Sequence, residues 1–279
     1  MRVLDLNQVT EKVYEMLLDA CTNIPCNVLE SLKEALEKEE SPLGKEVISK
    51  IIENDLLARE KNLPICQDTG VVVCFVELGS QVVFDGDIYE AINEGVRRAY
   101  VNGYLRKSVV GHPLVRVNTK DNTPAIVHVK LVPGDKVKIH VSPKGGGSEN
   151  MSLVKMLIPA DGIEGIKKVV LDAVEKGGGK PCPPIIVGVG IGGNLEKSAL
   201  LAKEALFREI DDRSEDEACY KLEQELLEEI NKLGVGPMGF GGRVTCLAVK
   251  VNAYPCHIAS LPVAVNIQCH AARHKSCEL

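Results

Sequence analysis

The sequence is poor in aromatic residues, has no excess of positive charge and lacks long apolar runs. It has no Trp, and aromatic residues make up only 4% of 279 residues, too few for a surface that stacks single-stranded nucleic acid. The net charge of −6 argues against binding to a phosphate backbone. No apolar run approaches the roughly 20 residues that a membrane-spanning helix needs. We therefore expect no nucleic-acid partner and no membrane partner.

The sequence also lacks a secretory signal and the paired cysteines of common zinc motifs. The N-terminal segment MRVLDLNQVTEKVYEMLLDA mixes acidic and apolar residues and contains no continuous apolar stretch. The chain nevertheless has 10 cysteines, and no two of them have the C-x2-C spacing of a zinc ribbon or finger. In a reducing compartment such cysteines are thiols, so a disulfide framework is not expected. We predict a cytoplasmic protein.

The hydrophobic pattern predicts an α+β (mixed α/β) fold, with a helical N-terminal portion followed by a mixed or antiparallel sheet flanked by helices. Hydrophobic residues make up 45% of the chain, enough to bury a substantial core. Apolar residues recur at helical spacing in the first part of the chain, whereas VVVCFVELG and PPIIVGVG indicate buried strands. Because no repeat and no long linker interrupts the chain, we expect a single domain over residues 1–279, with residues 1–60 as its helical portion.

The segment AIVHVKLVPGDKVKIHVSPKGGG, residues 125–147, predicts a β-hairpin. Apolar and polar residues alternate on both sides of Pro-Gly-Asp, which is a turn sequence. Two alternating runs around a short turn are typical of antiparallel neighbours. This segment is the main sequence argument against a purely parallel sheet.

Three glycine-rich stretches lie between predicted regular elements: KGGGSEN (144–150), GVGIGG (188–193) and GVGPMGFGG (234–242). GVGIGG matches the G-x-G-x-x-G pattern of dinucleotide-binding folds and lies between a predicted strand and a predicted helix. That pattern also needs a second strand ending in an acidic residue about 20 positions later, and the chain continues there as a charged helix. A nicotinamide-dependent oxidoreductase is therefore a weak alternative. We expect instead that the glycines allow a ligand to approach backbone N–H groups.

Three cysteines lie at the ends of predicted strands. Cys66 precedes the strand that begins at Val71, Cys182 precedes the buried strand of PPIIVGVG, and Cys269 directly follows a strand. Three thiolates are one fewer than the four that hold an electron-transfer iron–sulfur cluster. A cluster held by three cysteines leaves one iron open, and an open iron is a Lewis acid that binds a hydroxyl or a carboxylate.

The other seven cysteines have a simpler interpretation, because a free cysteine is most often a small buried hydrophobe. Cys74 and Cys246 lie inside predicted strands, and Cys21, Cys26 and Cys219 lie in or beside amphipathic helices. Cys277 is close to the C-terminus, where we expect the chain to be frayed. Cys256 is ambiguous because it is followed by His257.

Five motifs together resemble the alpha subunit of the iron–sulfur hydro-lyases, which are the class I fumarate hydratases and the related L(+)-tartrate dehydratases. The motifs are ICQDTG, GGGSEN, CPPIIVGVGIGG, GVGPMGFGG and NIQCHAARH, and the resemblance covers most of the chain from about residue 60 onward. It implies a [4Fe–4S] cluster held by Cys66, Cys182 and Cys269, with an open fourth iron that binds the substrate. It also implies catalytic roles for Asp68 and His257 and substrate contacts by Gln67, Arg106, Gly146 and Gly147.

The resemblance further implies a partner chain. The family's other half supplies additional substrate-binding residues and a catalytic threonine, and nothing in this sequence corresponds to it. We therefore expect a separate beta subunit that carries those residues, in a heterotetramer of two alpha and two beta chains.

Simpler alternatives exist for several of these residues. In the simpler interpretation, Asp68 does no more than cap the turn at Thr69–Gly70, and His257 is a buried core histidine. Arg97 and Arg98 compete with Arg106 as a carboxylate ligand, but both lie on a predicted helix face, where solvated arginines are common. His270, His274 and Arg273 are candidates for the interface with the partner chain.

The implied reaction is the reversible hydration of fumarate to (S)-malate, a step of the tricarboxylic acid cycle. An arginine such as Arg106 binds a carboxylate bidentately, backbone N–H groups of GGGSEN stabilise developing negative charge, and Asp68 exchanges protons. Conversion of L(+)-tartrate to oxaloacetate is the alternative. L(+)-tartrate has only one hydroxyl more than (S)-malate, and no motif in the sequence distinguishes the two reactions. A cluster-binding protein without catalysis is a further alternative from another class.

Overall fold

The computed structural model of the protein describes all 279 residues and confirms the predicted α+β class. In chain order the helices are α1 (Leu6–Thr22), α2 (Cys26–Lys38), α3 (Pro42–Lys61), α4 (Ile88–Asn102), α5 (Gly146–Glu149), α6 (Gly162–Gly177), α7 (Leu195–Ala205) and α8 (Glu217–Asn231). The strands are β1 (Arg2–Val3), β2 (Val71–Gly79), β3 (Val82–Val83), β4 (Ile126–Val132), β5 (Val137–Lys144), β6 (Leu153–Leu157), β7 (Ile185–Gly192), β8 (Cys246–Tyr254), β9 (Leu261–Gln268) and β10 (Lys275–Glu278).

The chain forms two compact units. Unit one consists of Met1–Ile24, Asp55–Gly146 and Arg273–Leu279, and unit two consists of Pro25–Asn54 and Gly147–Ala272. Helices α1, α2 and α3 occupy most of the N-terminal portion that was predicted to be helical. The single domain predicted over residues 1–279 stays a prediction. No helix combines the length and the apolar character needed to span a membrane.

Unit one contains a four-stranded mixed sheet in the order β10-β5-β2-β4. β2 pairs parallel with β4 and antiparallel with β5, and β5 pairs antiparallel with β10. α1 and α4 are amphipathic, and their N-caps are Asp5 and Asp87. The side chain of each N-cap accepts a hydrogen bond from a backbone N–H group of the first turn. The apolar faces of the two helices and one face of the sheet form the core of the unit.

The predicted hairpin between β4 and β5 is wrong, although both strands exist. β2 lies between them, and the Pro-Gly-Asp connection passes the end of β2 instead of joining neighbours. There Gly79 N donates to Lys136 O and Gln81 N donates to Gly134 O, both at 2.9 Å. β2 is mostly buried whereas β4 is mostly exposed. Placing β2 in the centre of the sheet therefore buries more apolar surface than direct pairing of β4 with β5 would.

The prediction that the C-terminus is frayed at Cys277 is also wrong. Cys277 lies in β10, opposite Ile139 of β5. Beyond this strand, Leu279 N donates to Val137 O at 2.7 Å and Val137 N donates to Leu279 O at 2.9 Å. Backbone pairing with β5 therefore fixes the last residues of the chain.

Unit two contains a second four-stranded mixed sheet, in the order β6-β9-β7-β8. β7 pairs parallel with β8 and antiparallel with β9, and β9 pairs antiparallel with β6. The valines and isoleucines of β7, β8 and β9 form a core with α6 and α8. β7 is buried on both faces, which explains its continuous apolar sequence.

The GVGIGG stretch serves helix packing, which corrects the expectation that its glycines admit a ligand. A Cβ atom on Gly190 would lie 2.0 Å from Ser198 O, and one on Gly188 would lie 2.3 Å from Ala202 O. Both oxygens belong to the backbone of α7, so only glycine allows α7 to lie this close to β7. The weak resemblance to a dinucleotide-binding motif therefore has a packing cause.

Candidate functional site

The topology of unit one brings four chain segments to one end of its sheet. β2, β4 and β10 begin at this end and β5 finishes there, as the pairs Val71–Lys144, Val73–Ile126 and Lys275–Val141 show. The segments next to these strand ends contain Cys66–Gly70, the loop before β4, the glycines after β5 and the residues before β10. Residues far apart in sequence, from Cys66 to Arg273, therefore meet in one place.

The turn from Cys66 to Gly70 needs its glycine and its aspartate. Gly70 has φ +73°, and a Cβ atom there would lie 2.6 Å from the backbone of Lys144. Asp68 Oδ1 accepts a hydrogen bond from Gly70 N at 3.0 Å. One oxygen of Asp68 thus caps the turn, as the simpler alternative predicts. Its other oxygen, Oδ2, accepts from Gly146 N at 2.9 Å.

Buried side chains hold three consecutive carbonyl oxygens of the turn. Arg273 Nη2 donates to Asp68 O at 2.9 Å, Tyr100 Oη donates to Thr69 O, and Asn122 Nδ2 donates to Gly70 O at 3.1 Å. The three side chains are between 0% and 1% exposed. Burial raises the pKa of Tyr100 well above its ordinary value, so its hydroxyl keeps the proton that it donates. The backbone after Cys66 is therefore held rigidly from inside the unit.

Gln67 and Arg106 form a polar pair beside this turn. Arg106 Nη1 donates to Gln67 Oε1 at 2.8 Å, and Thr69 Oγ1 donates to Arg106 O at 3.0 Å. Unit one thus brings together four predicted site residues, namely Gln67, Asp68, Arg106 and Gly146. Arg106 is exposed, so most of its guanidinium donors are available to an anion.

Arg97 and Arg98 form ion pairs elsewhere and are partly buried, which differs from the solvated arginines that the sequence predicts. Arg97 pairs with Glu90, Glu94 and Asp121. Arg98 pairs with Glu11 and lies over the ring of Tyr14. Among the three competing arginines, Arg106 alone is hydrogen-bonded to a predicted site residue.

In unit two, Cys182 lies in a loop that is shaped by close backbone contacts. Its φ is +58°, and its N–H donates to Gly179 O at 3.1 Å. A Cβ atom on Gly179 would lie 2.8 Å from Met238 O, and Met238 N donates to Pro183 O at 2.8 Å. The segment GVGPMGFGG therefore packs directly against the loop of Cys182, which explains part of its glycine content.

Cys269 lies at the same end of the sheet of unit two as Cys182. Cys269 follows β9 and Cys182 precedes β7, and these strands are antiparallel neighbours in which Gln268 is opposite Ile186. His270 N donates to Cys182 O at 3.4 Å, which links the two cysteine segments. Gly147 is close to the same loop, because a Cβ atom there would lie 3.3 Å from Lys180 O.

His257 is exposed in the turn that follows β8, so the alternative of a buried core histidine is wrong. Its Nδ1 accepts a hydrogen bond from Ala259 N at 3.1 Å. No other predicted site residue is hydrogen-bonded to this side chain. Its catalytic role stays a prediction.

Seven of the ten cysteines fall into two groups by environment. Of the other three, Cys277 is partly buried and Cys26 and Cys256 are exposed, so the expectation that Cys26 is a buried hydrophobe is wrong. Burial raises the pKa of Cys74 and Cys246 to about 12, and that of Cys21 and Cys219 to about 11, so these thiols stay protonated. This confirms that they are packing residues. Cys66, Cys182 and Cys269 are instead partly exposed in turns, and none is in a disulfide.

The three predicted ligands are divided between the units, with Cys66 in unit one and the other two in unit two. In neither unit do three or more His, Cys, Asp or Glu side chains form a group that could hold a metal ion. The donor set nevertheless fits an iron–sulfur cluster, because it consists of partly exposed thiols. Arg273 fits as well, since its Nε and Nη1 are buried without a hydrogen-bond acceptor and its Nη2 donates to Asp68 O, two residues after Cys66.

Sequence reasoning missed Tyr100 and Asn122 and misplaced Arg273. Arg273 is only 1% exposed, so its assignment to a subunit interface is wrong. Tyr100 occupies a buried position of the amphipathic helix α4, so its hydrogen bond has no local sequence signal. Asn122 carried a weak signal, because it follows Asp121 in a polar loop and its φ of +65° is one that asparagine tolerates.

Comparisons with known proteins identify the family of this chain. The family model for fumarate hydratase, Fumerase, matches residues 10–278. A Methanocaldococcus jannaschii protein with the provisional name L(+)-tartrate dehydratase subunit alpha is 44% identical, over 95% of each chain. The L(+)-tartrate dehydratase alpha subunits of Escherichia coli K12 and Shigella sonnei are 32% identical, over 96% of this chain and 89% of theirs. This chain belongs to the fumarate hydratase (Fumerase) family and is a hydro-lyase.

Proposed function

We propose that this chain is the alpha subunit of an iron–sulfur hydro-lyase that interconverts fumarate and (S)-malate in the cytoplasm. The observation that carries the proposal is the polar group beside Cys66, in which Arg106 is bonded to Gln67 and Asp68 is bonded to Gly146. A four-carbon dicarboxylate needs a cationic ligand for one carboxylate, donors for the other and a group that exchanges a proton. These residues supply each of those functions at one end of one sheet.

Cys66, Cys182 and Cys269 are the residues that would hold the [4Fe–4S] cluster. When bound, the cluster supplies an open iron, a Lewis acid for the substrate hydroxyl. Arg106 binds one carboxylate through the guanidinium donors that Gln67 leaves available, and the hydrogen bond to Gln67 fixes its orientation. Backbone N–H groups of Gly146 and Gly147 are the donors for the second carboxylate and for the negative charge that develops on it.

Asp68 is the proposed proton-exchanging group of this chain. Its carboxylate is oriented by Gly70 N and Gly146 N, and each oxygen keeps a lone pair for a substrate proton. The hydrogen bond from Arg273 fixes the backbone of the same residue. His257 is exposed, which leaves it available to orient the substrate or to donate a hydrogen bond to it.

The proposal includes a beta subunit. The relatives are named as alpha subunits, and the groups described above do not include a complete acid–base pair. We propose that the partner chain supplies the remaining substrate-binding and catalytic residues, in an assembly of two alpha and two beta chains.

L(+)-tartrate dehydration to oxaloacetate is the second candidate reaction. It is favoured by the names of the relatives, whereas the family model is described as fumarate hydratase. (S)-Malate and L(+)-tartrate both have two carboxylates, and tartrate has one hydroxyl more. The residues of this chain described above contact groups that both substrates possess, so activity measurements must decide.

The test uses the anaerobically purified complex of this chain with its natural partner. We expect kcat/KM for fumarate and (S)-malate to exceed that for L(+)-tartrate, and Arg106→Lys to lower it about a hundredfold by disturbing the carboxylate geometry. Arg98→Lys is the matched control, because Arg98 pairs with Glu11 and lies over Tyr14 of α1, neither of which is a predicted site residue, and its activity should be unchanged. Preference for tartrate would establish the second candidate. A complex that binds iron and turns over no dicarboxylate would overturn both reactions.

A further inference from the structure

We propose that Arg273 is a positioning residue whose buried positive charge balances the negative charge of the cluster that Cys66 binds. This inference rests on the proposed function, because it needs an anionic cluster beside the turn. It adds a residue of this chain that tunes the cluster without binding iron or substrate.

The first observation is that Arg273 is buried while two of its guanidinium nitrogens are unpaired. The residue is 1% exposed, yet its Nε and Nη1 have no hydrogen-bond acceptor. Nη2 donates to Asp68 O, which is a neutral carbonyl oxygen and not a carboxylate. An uncompensated buried charge is strongly unfavourable, so a protein rarely keeps one without an anion nearby.

The second observation is that two buried titratable groups close to Arg273 are neutral. Cys21 and Tyr100 are the buried groups whose pKa the positive charge of Arg273 lowers, but burial outweighs this effect at both. The pKa of Cys21 is raised to about 11 and that of Tyr100 is raised well above its ordinary value. Both side chains are therefore uncharged at neutral pH, and neither balances the guanidinium.

The third observation is where the charge lies. Arg273 is bonded to Asp68, two residues after Cys66, in the turn that Tyr100 and Asn122 also hold. A cluster with three thiolate ligands carries net negative charge, and reduction adds one more negative charge. Buried positive charge close to the Cys66 ligand stabilises both states and the reduced state more strongly, because attraction is weakly screened in the interior.

Arg273 thus supplies two things to the turn, a hydrogen bond to Asp68 O and a positive charge, and the hydrogen bond alone would not require an arginine. A neutral donor such as Asn122 or Tyr100 suffices to hold a carbonyl oxygen, and the two neighbouring carbonyls are held by such donors. The one charged donor in this set of three is the position with unused N–H groups. Its charge, and not only its hydrogen bond, is what distinguishes it.

The test is the one-electron midpoint potential of the cluster. It is measured by a redox titration that EPR monitors, in the anaerobically prepared complex without dicarboxylate. Arg273→Met and Arg273→Gln remove the charge and should make reduction at least tenfold less favourable, a negative shift of about 59 mV or more. Arg273→Lys keeps the charge and should retain most of the potential. Tyr100→Phe is the matched control, since it removes a buried neutral donor to the same turn, and its potential should be unchanged.

The possible results separate the charge from the fold. Equal shifts in Arg273→Lys, Arg273→Gln and Tyr100→Phe, or no shift in any of them, would overturn the inference. A shift that appears only after a dicarboxylate is added would also overturn it, because the balanced anion would then be the substrate. If the neutral variants do not fold, an Arg273→Lys variant that loads iron fully but shifts the potential tenfold would contradict the charge role. A wild-type complex without any cluster would overturn the proposed function itself.

Discussion

The turn of Cys66 in unit one and the loop of Cys182 in unit two hold a partly exposed thiol at the end of a sheet by different means. Buried polar side chains fix the turn of Cys66, since Arg273, Tyr100 and Asn122 bind its carbonyl oxygens. Direct backbone contacts fix the loop of Cys182, where Gly179 lies against Met238. The first arrangement can be tuned by changing a side chain, whereas the second tolerates only glycine.

The largest expected effect separates these turn cysteines from the buried ones. Alanine at Cys66, Cys182 or Cys269 should abolish iron binding, because each removes one of three proposed ligands. Cys74→Ala should keep full iron content and cost about 1 kcal/mol of unfolding free energy, since Cys74 is buried packing. Iron analysis of the anaerobic protein and denaturant unfolding check both outcomes. Full iron content in any one of the three variants would remove that residue from the ligand set.

The backbone arrangement in unit two should fail when a methyl group is added to it. Gly179→Ala places a Cβ atom 2.8 Å from Met238 O and 3.1 Å from Gly239 Cα, where neither backbone segment can easily move. We expect a loss of about 3 kcal/mol, measured by urea unfolding. Gly111→Ala is the control, since its nearest neighbour would be 3.7 Å away. Equal stability of the two variants would show that the loops do not depend on this contact.

The side-chain arrangement in unit one should respond less strongly. Asn122→Ala removes the donor to Gly70 O and the acceptor for Ser108 N, and should cost about 2 kcal/mol because buried polar groups lose their partners. Asn118→Ala is a suitable comparison, because that residue lies in the same loop and is exposed. Urea unfolding measures both. A neutral Asn122→Ala would mean that Tyr100 and Arg273 suffice to hold the turn.

The smallest expected effect concerns the one carboxylate that supports the glycine segment of unit two. Glu39 is buried and accepts hydrogen bonds from the N–H groups of Glu40, Ser41, Arg243 and Val244. Burial raises its pKa, but the four donors together outweigh burial, so the folded pKa lies below the ordinary 4.5. Its contribution to stability is therefore complete above about pH 4.5 and is lost as the pH falls through the folded pKa.

Glu39→Gln tests this assignment. The variant should lose about 1 kcal/mol at pH 7 and should show a weaker decrease of unfolding free energy below pH 4.5 than the wild type. Unfolding by urea between pH 3 and pH 7 measures the difference. Parallel pH profiles for the two proteins would show that Glu39 does not supply this acid sensitivity.

The sequence predicted most elements of both units but not their pairing. Strands such as β2, β7 and β9 are apolar runs, and helices such as α1, α4 and α6 have a regular apolar face, so local pattern identifies them. The Pro-Gly-Asp turn predicted a hairpin, but β2 separates β4 and β5 in the sheet. A turn sequence reports local geometry, and it contains no information on which buried strand a sheet places in its centre.

The grouping of candidate site residues was predictable where they lie together in a motif, whereas their roles stay predictions. Gln67 and Asp68 follow Cys66 directly, and the structure places Arg106 and Gly146 beside them. Tyr100, Asn122 and Arg273 act through contacts that span between 31 and 205 residues of sequence. Burial and pairing at such distances depend on the whole topology of unit one, which no local motif specifies.

The measurement that tests the central claim most directly is the iron and sulfide content of the anaerobically reconstituted complex, with EPR before and after addition of fumarate, (S)-malate or L(+)-tartrate. The account predicts about four irons and four sulfides per alpha chain and a signal that one of these dicarboxylates perturbs. Absence of a cluster, or a cluster whose signal none of the three compounds changes, would contradict it.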